Sequence, residues 1–296
     1  MSDKLTLDRL NAADRNDFIA ALGNVFEYSP WIAEAAETMR PFPTVAALCD
    51  AMLDVMAKAE PQQRLTLLRA HPDLANKTQR AAGLTEESVS EQDGAGLDRL
   101  SEREFTMFEE LNGAYKQRFG FPFILCVRRH TKDSILDAFA GRLRNTPDVE
   151  EQAAISEIGR IATLRLAALV EDDVPLPVYG ELSMHVLDTH SGRPAEGVAF
   201  ELIELARHGA SRTLKKAVTN RDGRTDAALI HGRPVPIGNY ELRFHVADYF
   251  AKRGVPLSSP PFLDIIPIRF GVSEPAGHYH VPLLMTPWSF ATYRGS

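Results

Sequence analysis

The sequence predicts a multidomain chain: an all-α N-terminal domain over residues 1–170, a linker over 171–180, and an all-β sandwich over 181–296. Three observations predict it. Proline is unevenly spread, with 7 of 19 before residue 170 and 12 in the shorter remainder, so long unbroken helices have room only in the first part. The hydrophobic period then changes from helical spacing to alternation. Between the two lies EDDVPLPVYG, an acidic, proline-containing stretch that no helix could cross.

In the first part, EEQAAISEIGRIATLRLAALV places Ile155, Ile158, Ala162, Arg165 and Leu169 at spacings of 3 and 4, one face of a helix. Upstream, Pro61 can open a helix that Pro72 must stop at His71, because the residue before a proline is driven out of the α region. In the second part, NYELRFHVADYF reads as a half-buried strand with Tyr240, Leu242, Phe244 and Val246 on one face. LSMHVLD, GVAFELIEL and HYHVPLLM are strand-like as well, and DGR, HGRP and IGN supply turns between them.

Composition excludes several classes of function. A 44% hydrophobic content over 296 residues is ample for two packed cores, so general disorder is excluded. With 33 basic and 40 acidic residues the net charge is -7, and basic residues cluster no further than pairs such as Lys215-Lys216; nucleic acid is not an expected partner. The opening MSDKLTLDRLNAADR lacks an apolar h-region, and no stretch approaches the ~18 apolar residues of a membrane span. Cys49 and Cys126 sit in apolar sequence and read as buried free thiols, so the expected location is the cytoplasm.

Four places in the helical part can carry chemistry. His71 would end its helix, a position that suits either a dipole partner or a catalytic imidazole. Ser88 and Glu91 have the spacing of a capping box, although both are also polar enough for a site. Arg165 lies on an apolar stripe and must meet a carboxylate such as Glu91 or an anionic ligand, since an unpaired buried charge is too costly. FGFPFILCV is an apolar run broken by Gly120 and Pro122, which free backbone groups to line a pocket.

Together HPDLA, S-x-x-EQ-x-x-AGL, LN-x-x-Y-x-x-x-FGFPFI and IA-x-LRL resemble the OHCU decarboxylases of urate degradation over nearly all of residues 1–170. That resemblance implies an all-α, cofactor-free domain converting 2-oxo-4-hydroxy-4-carboxy-5-ureidoimidazoline (OHCU) to (S)-allantoin and CO2. It implies His71, Glu91 and Arg165 as catalytic residues, Gln92 as a polar partner, and Pro72, Ser88 and the backbone of Phe123, Ile124, Leu125, Cys126 and Val127 as substrate contacts. An imidazole near its ordinary value of about 6.5 would suit proton placement, and a neighbouring glutamate would favour its charged form.

In the β part, polar groups concentrate in LSMHVLDTHSGRPA, TNRDGRTD and the closing HYHVPLLMTPWSFATYRGS. His190, His208, His231 and His245 read as surface histidines, whereas His185 and His280 interrupt apolar strands. His278 and His280 share one side of a strand, and with His185 they could offer three nitrogens to zinc. However, LS-x-HVLD-x-x-x-G-x-PA, TN-x-DGR and YHVPLL…YRGS are similar to the 5-hydroxyisourate hydrolases, the enzymatic branch of the transthyretin-like family. The resemblance implies a transthyretin-like (prealbumin-like) sandwich without metal or other cofactor.

Carried onto matching positions, it implies His185, Arg224, His280 and Tyr293 as catalytic residues and Ser296 as a wall of the site. Tyr293 to Ser296 would fold into the site at a subunit interface of a homo-oligomer, a tetramer through this domain. Because Pro282 and Pro287 limit strand pairing, side-chain contacts are expected to place that tail. Which imidazole is base and which is acid stays open. A closing RGS in place of SKL again favours the cytoplasm. The joint expectation is a bifunctional ureide-pathway enzyme acting on small molecules; the alternative is one catalytic domain beside a small-ligand carrier or assembly module.

Overall fold

The computed structural model describes residues 5–75, 88, 90–92, 97, 100–207 and 210–295. It divides into two compact units: Met1–Arg128 with Ile135–Val178, and Arg129–Ser134 with Tyr179–Ser296.

The first unit is helical. Its described helices are α1 (Leu7–Ala12), α2 (Arg15–Leu22), α3 (Trp31–Glu37), α4 (Val45–Lys58), α5 (Pro61–Ala70), α6 (Glu102–Phe119), α7 (Lys132–Arg142) and α8 (Pro147–Leu169); the N-terminal residues of α7 fall in the second unit. Local sequence sets many of the ends. Thr6, Asp14 and Thr44 accept backbone N–H groups at their N-caps, and Ser101 with Glu104 forms a full capping box. Pro61 and Pro147 occupy first turns, and Gly120 ends α6 at φ 78°, a conformation that favours glycine. A two-residue parallel ladder joins β1 (Leu5–Thr6) to β2 (Val170–Glu171).

The stripe expected on α8 is present: Ile155, Ile158, Ala162 and Arg165 are buried, and Leu169 emerges at the end of the line. Beneath the loop after α6, Glu150 is fully buried and satisfied by Tyr115, Arg142 and Asn145. Arg142 Nη1 also donates to the Ile124 carbonyl at 2.6 Å and its guanidinium covers the Phe123 ring at 4.7 Å. This buried network fixes the path of residues 121–127, which carry one wall of the first site.

The second unit is a sandwich of two sheets. One contains β3 (Gly180–Asp188), β4 (Arg193–Pro194), β7 (Ile230–Arg233), β10 (His278–Met285) and β11 (Phe290–Thr292), in the order β11-β10-β3-β4 with β7 also paired to β3. The other contains β5 (Ala199–Leu205), β6 (Arg212–Val218), β8 (Gly238–His245) and β9 (Ile265–Val272), in the order β6-β5-β8-β9. Leu182, Met184, Val186, Tyr279, Val281 and Leu283 face Phe200, Leu202, Leu242, Phe244 and Ile266 in the core. The predicted strand over NYELRFHVADYF is shorter than expected. It ends at His245, and α9 (Val246–Lys252) follows, because Val246, Ala247 and Phe250 are spaced to bury one helical face.

Strict alternation puts chemistry on the outer face of the first sheet. On β3, Leu182, Met184 and Val186 point inward while Ser183 and His185 point outward. On the parallel neighbour β10, His280 lies opposite Ser183 and Pro282 opposite His185.

Candidate active sites

In the helical unit, α5 ends where expected, with His71 as C-cap at φ -75°, ψ 144°. A small cavity is lined by His71, Pro72, Ser88, Glu91, Gln92 and Arg165, and by Phe123, Ile124, Leu125 and Val127 of the loop. His71 Nδ1 lies 3.0 Å from the Leu67 carbonyl oxygen, which can only accept. Nδ1 therefore carries the proton, and the neutral ring has its lone pair on Nε2. Burial holds His71 well below the usual histidine range, at about 4; the Leu67 bond and Glu27 raise it less than burial lowers it, and Arg165 adds to the lowering. The expectation of an ordinary imidazole beside a charge-favouring glutamate is corrected: desolvation outweighs the carboxylate.

Arg165 is the centre of a polar cluster. Its Nε and Nη2 donate to both oxygens of Glu91 at 3.1 and 3.0 Å, Nη1 to Glu27 Oε2 at 3.0 Å and the Asn24 carbonyl at 3.4 Å, and Nη2 to Ser88 Oγ at 3.1 Å. All five N–H groups thus have acceptors. Ser88 Oγ in turn donates to Glu27 Oε2 at 3.0 Å. Glu91 and Glu27 together push the Arg165 pKa upward against the opposing effect of burial. Gln92 accepts the Ala75 N–H at 3.1 Å through Oε1, which leaves its amide NH2 as a donor.

In the sandwich, Gly223 at φ 68° lets the TNRDGRTD turn lie against β3: its carbonyl accepts the Val186 N–H at 2.8 Å, and a Cβ there would fall 2.2 Å from the Val186 oxygen. Asn220 Oδ1 accepts the N–H groups of Asp222 and Arg224, closing the turn. This brings Arg224 Nη2 to 3.2 Å from His185 Nδ1. The neighbouring cavity is lined by Glu181, Ser183, Arg224, Asp226, His278 and His280, with Met184 and Thr225 to Ala228 completing the wall. Burial and the Arg224 guanidinium hold His185 below the ordinary histidine range, and burial, Arg224 and the two other histidines do the same for His280. Among the described residues no group of three or more His, Cys, Asp or Glu is arranged to hold a metal ion.

Residues 11–167 match the family model described as OHCU decarboxylase, and residues 182–295 match that of the HIUase/Transthyretin family. The second part is 56% identical over 116 residues to a 5-hydroxyisourate hydrolase of Deinococcus radiodurans, spanning 39% of this chain and 95% of that relative. The chain belongs to both families. Its OHCU decarboxylase part is 40% identical over 166 residues to a 2-oxo-4-hydroxy-4-carboxy-5-ureidoimidazoline decarboxylase of Halalkalicoccus jeotgali, covering 56% of this chain and 92% of the relative. The whole chain is similar to the crystal structure of (S)-allantoin synthase, with 36% identity, a TM-score of 0.52, and coverage of 99% and 100% of the two chains.

Not every expected residue reaches its cavity. In the decarboxylase part, Cys126 is buried and does not line the cavity, and its N–H donates to Glu157 Oε2 at 2.9 Å. In the HIUase/Transthyretin part, His185 touches Arg224 without lining the cavity, and Tyr293 is 61% exposed and does not line it either. Ser296 and His208 lie outside the described residues.

The tail is placed differently from the expectation: β11 pairs antiparallel with Leu283–Met285, and the Gly295 N–H donates to the His280 carbonyl at 3.0 Å. Pro282 does not prevent this, because its carbonyl still accepts the Thr292 hydroxyl at 2.8 Å.

Glu27 was not anticipated. Its only sequence signal is an acid between Phe26 and Tyr28 in VFEYSP, a carboxylate in an apolar setting that must find a partner. Tyr28 beside it adopts φ 45°, which a tyrosine gives no reason to expect.

Proposed function

We infer that this chain is a bifunctional enzyme of urate degradation, in which the C-terminal domain hydrolyses 5-hydroxyisourate to OHCU and the N-terminal domain decarboxylates OHCU to (S)-allantoin and CO2. The observation that carries the reading is the coverage of (S)-allantoin synthase along its whole length together with a separate cavity in each part that holds charged and hydrogen-bonding side chains. The boundaries assigned are 1–170, 171–180 and 181–296.

For decarboxylation, the C–C bond to the carboxylate breaks and its electron pair forms a C=C bond to the carbon bearing the ureido group, while the pair of the former C=N bond goes to the ring nitrogen, which takes a proton from solvent. The enol so formed loses its hydroxyl proton while the carbon bearing the ureido group gains one. His71 is assigned both transfers: neutral Nε2 accepts the hydroxyl proton and returns it to one face of that carbon. Gln92 supplies a neutral donor. Arg165 is assigned to the anionic substrate group; of its two carboxylate partners Glu91 is the more exposed, at 13% against 0% for Glu27, and is the one that can give way. Pro72, Ser88 and the loop backbone at Phe123, Ile124, Leu125 and Val127 shape the cavity.

For hydrolysis, Arg224 supplies positive charge where oxyanion character develops, and His185 and His280 are assigned as the imidazoles of the site. Tyr293 and Ser296 are assigned to a wall completed by a second subunit of a homo-oligomer, a tetramer through this domain. Exposed Trp288, Phe290 and Tyr293 at the β11 edge support that assignment. Two buried free cysteines fit a reducing cytoplasm, and no helix among the described residues is long and apolar enough to cross a membrane.

The test is freshly prepared 5-hydroxyisourate, with ultraviolet absorbance followed together with optical rotation. The expected result is accelerated loss of the substrate band and rotation from (S)-allantoin. Decay no faster than in buffer sinks the assignment. Hydrolysis with racemic product would restrict catalysis to the sandwich, leaving the helical domain as an assembly module.

A further inference from the structure

The outer face of the sandwich holds a third histidine and a serine that neither reaction above uses. Ser183 Oγ lies 3.0 Å from His280 Nδ1 and 3.3 Å from His278 Nε2, so one hydroxyl bridges two imidazoles. Glu181 Oε1 lies 3.5 Å from the same His278 Nε2. Alternation on β3 and β10, with His280 opposite Ser183, turns these side chains to one side of the sheet.

A carboxylate beside His278 Nε2 favours a proton on that nitrogen, which can then donate to Ser183 Oγ. A hydroxyl has a single proton, so Ser183, accepting from His278, donates its own to His280 Nδ1. An imidazole nitrogen that accepts is bare. The neutral ring of His280 then carries its proton on Nε2. At His185 the order differs: Arg224 can only donate, so His185 Nδ1 is the bare nitrogen and faces the guanidinium that lines the cavity.

We propose that Ser183, held by His278 and Glu181, is a positioning residue that locks His280 in the Nε2–H tautomer, making His280 a hydrogen-bond donor of the hydrolase site. This rests on the hydrolase reading given above and adds a role for His280 to it. Water attacks the lactam carbonyl carbon and gives up one proton. Arg224 and His280 Nε2–H stabilise the oxygen that takes the carbonyl electron pair. The C–N bond then breaks with its electron pair going to nitrogen, which takes up the proton the water gave up. His280 gives up no proton, so no imidazolate forms.

The groups facing His280 agree with a neutral donor. These are Glu181 and His185 on β3, His278 on β10, Arg224 and Asp226 from the β6–β7 connection, and Gly295 beyond β11; Arg224 and the two histidines disfavour a charged ring, and Glu181 opposes them.

The experiment is long-range 1H–15N correlation of the full chain labelled at histidine nitrogen, without substrate, combined with hydrolysis kinetics against pH. His280 is expected as the Nε2–H tautomer. Ser183→Ala should mix the two tautomers and lower kcat by roughly 10- to 100-fold with little change in KM, while Ser183→Thr, which keeps the hydroxyl, should restore both. His278→Ala should weaken the preference in the same direction.

A His280 proton on Nδ1 in the wild type overturns the proposal, as does a Ser183→Ala variant with unchanged tautomer and kcat. If Ser183→Ala fails to fold, His278→Ala and the wild-type spectrum still decide. A wild-type chain that does not speed 5-hydroxyisourate decay would instead remove the functional reading, which the tautomer measurement does not touch.

Discussion

Replacing Arg165 by Met should destabilise the helical unit strongly, even though an apolar isostere suits an apolar stripe. The reason is Glu27. Its side chain is 0% exposed and rests against Arg165 Nη1 at 3.0 Å, so removing the guanidinium leaves a carboxylate buried without its cation. Breaking one partner of a buried pair costs roughly 3–5 kcal/mol, most of it from the stranded charge. Glu91 adds little to that sum because its 13% exposure allows it to turn to water.

The matching double variant, Arg165→Met with Glu27→Gln, removes both buried charges and should recover all but about 1–2 kcal/mol. Urea unfolding in a Trp288→Phe background reports the helical unit alone, because the other tryptophan, Trp31, begins α3. An Arg165→Met chain within about 1 kcal/mol of the parent, or a double variant no better than the single one, would refute the reasoning.

Four further predictions concern pH and the tail. His71 is held near 4 when folded against about 6.5 unfolded, so the unfolded chain binds the extra proton and stability falls as pH drops from 6.5 to 4; the loss is about 3 kcal/mol, and His71→Asn should flatten it in urea midpoints. The same lowering keeps His71 neutral at pH 5, so the acid limb of decarboxylation should lie nearer 4 than 6.5; a limb at 6.5 would contradict the assigned burial. Deleting Tyr293 to Ser296 should eliminate hydrolysis and leave decarboxylation of supplied OHCU intact, and normal hydroxyisourate turnover would show the tail to be a mere ordered end. Gly295→Ala should reduce hydrolysis at least tenfold, about 1.4 kcal/mol, because a Cβ there would fall 2.6 Å from His280 Cδ2; unchanged kcat would mean that the ring can shift freely.

What the sequence alone determined was local. The proline-stopped helix at His71, the stripe through Arg165 and the alternation of Tyr240, Leu242 and Phe244 all follow from spacing and backbone stereochemistry within a few residues. The switch to a helix at Val246 was missed because an alternating run and a short helical face share residues there.

Tertiary structure decided the pairings and their electrostatics. Glu27 meets Arg165 across 138 positions, and Ser183 meets His280 across 97, separations over which no sequence period operates. The sign of the His71 shift likewise depended on how much water packing excludes, a property of the assembled cavity. Spacing could name the imidazole, but only the enclosure around it fixed its charge.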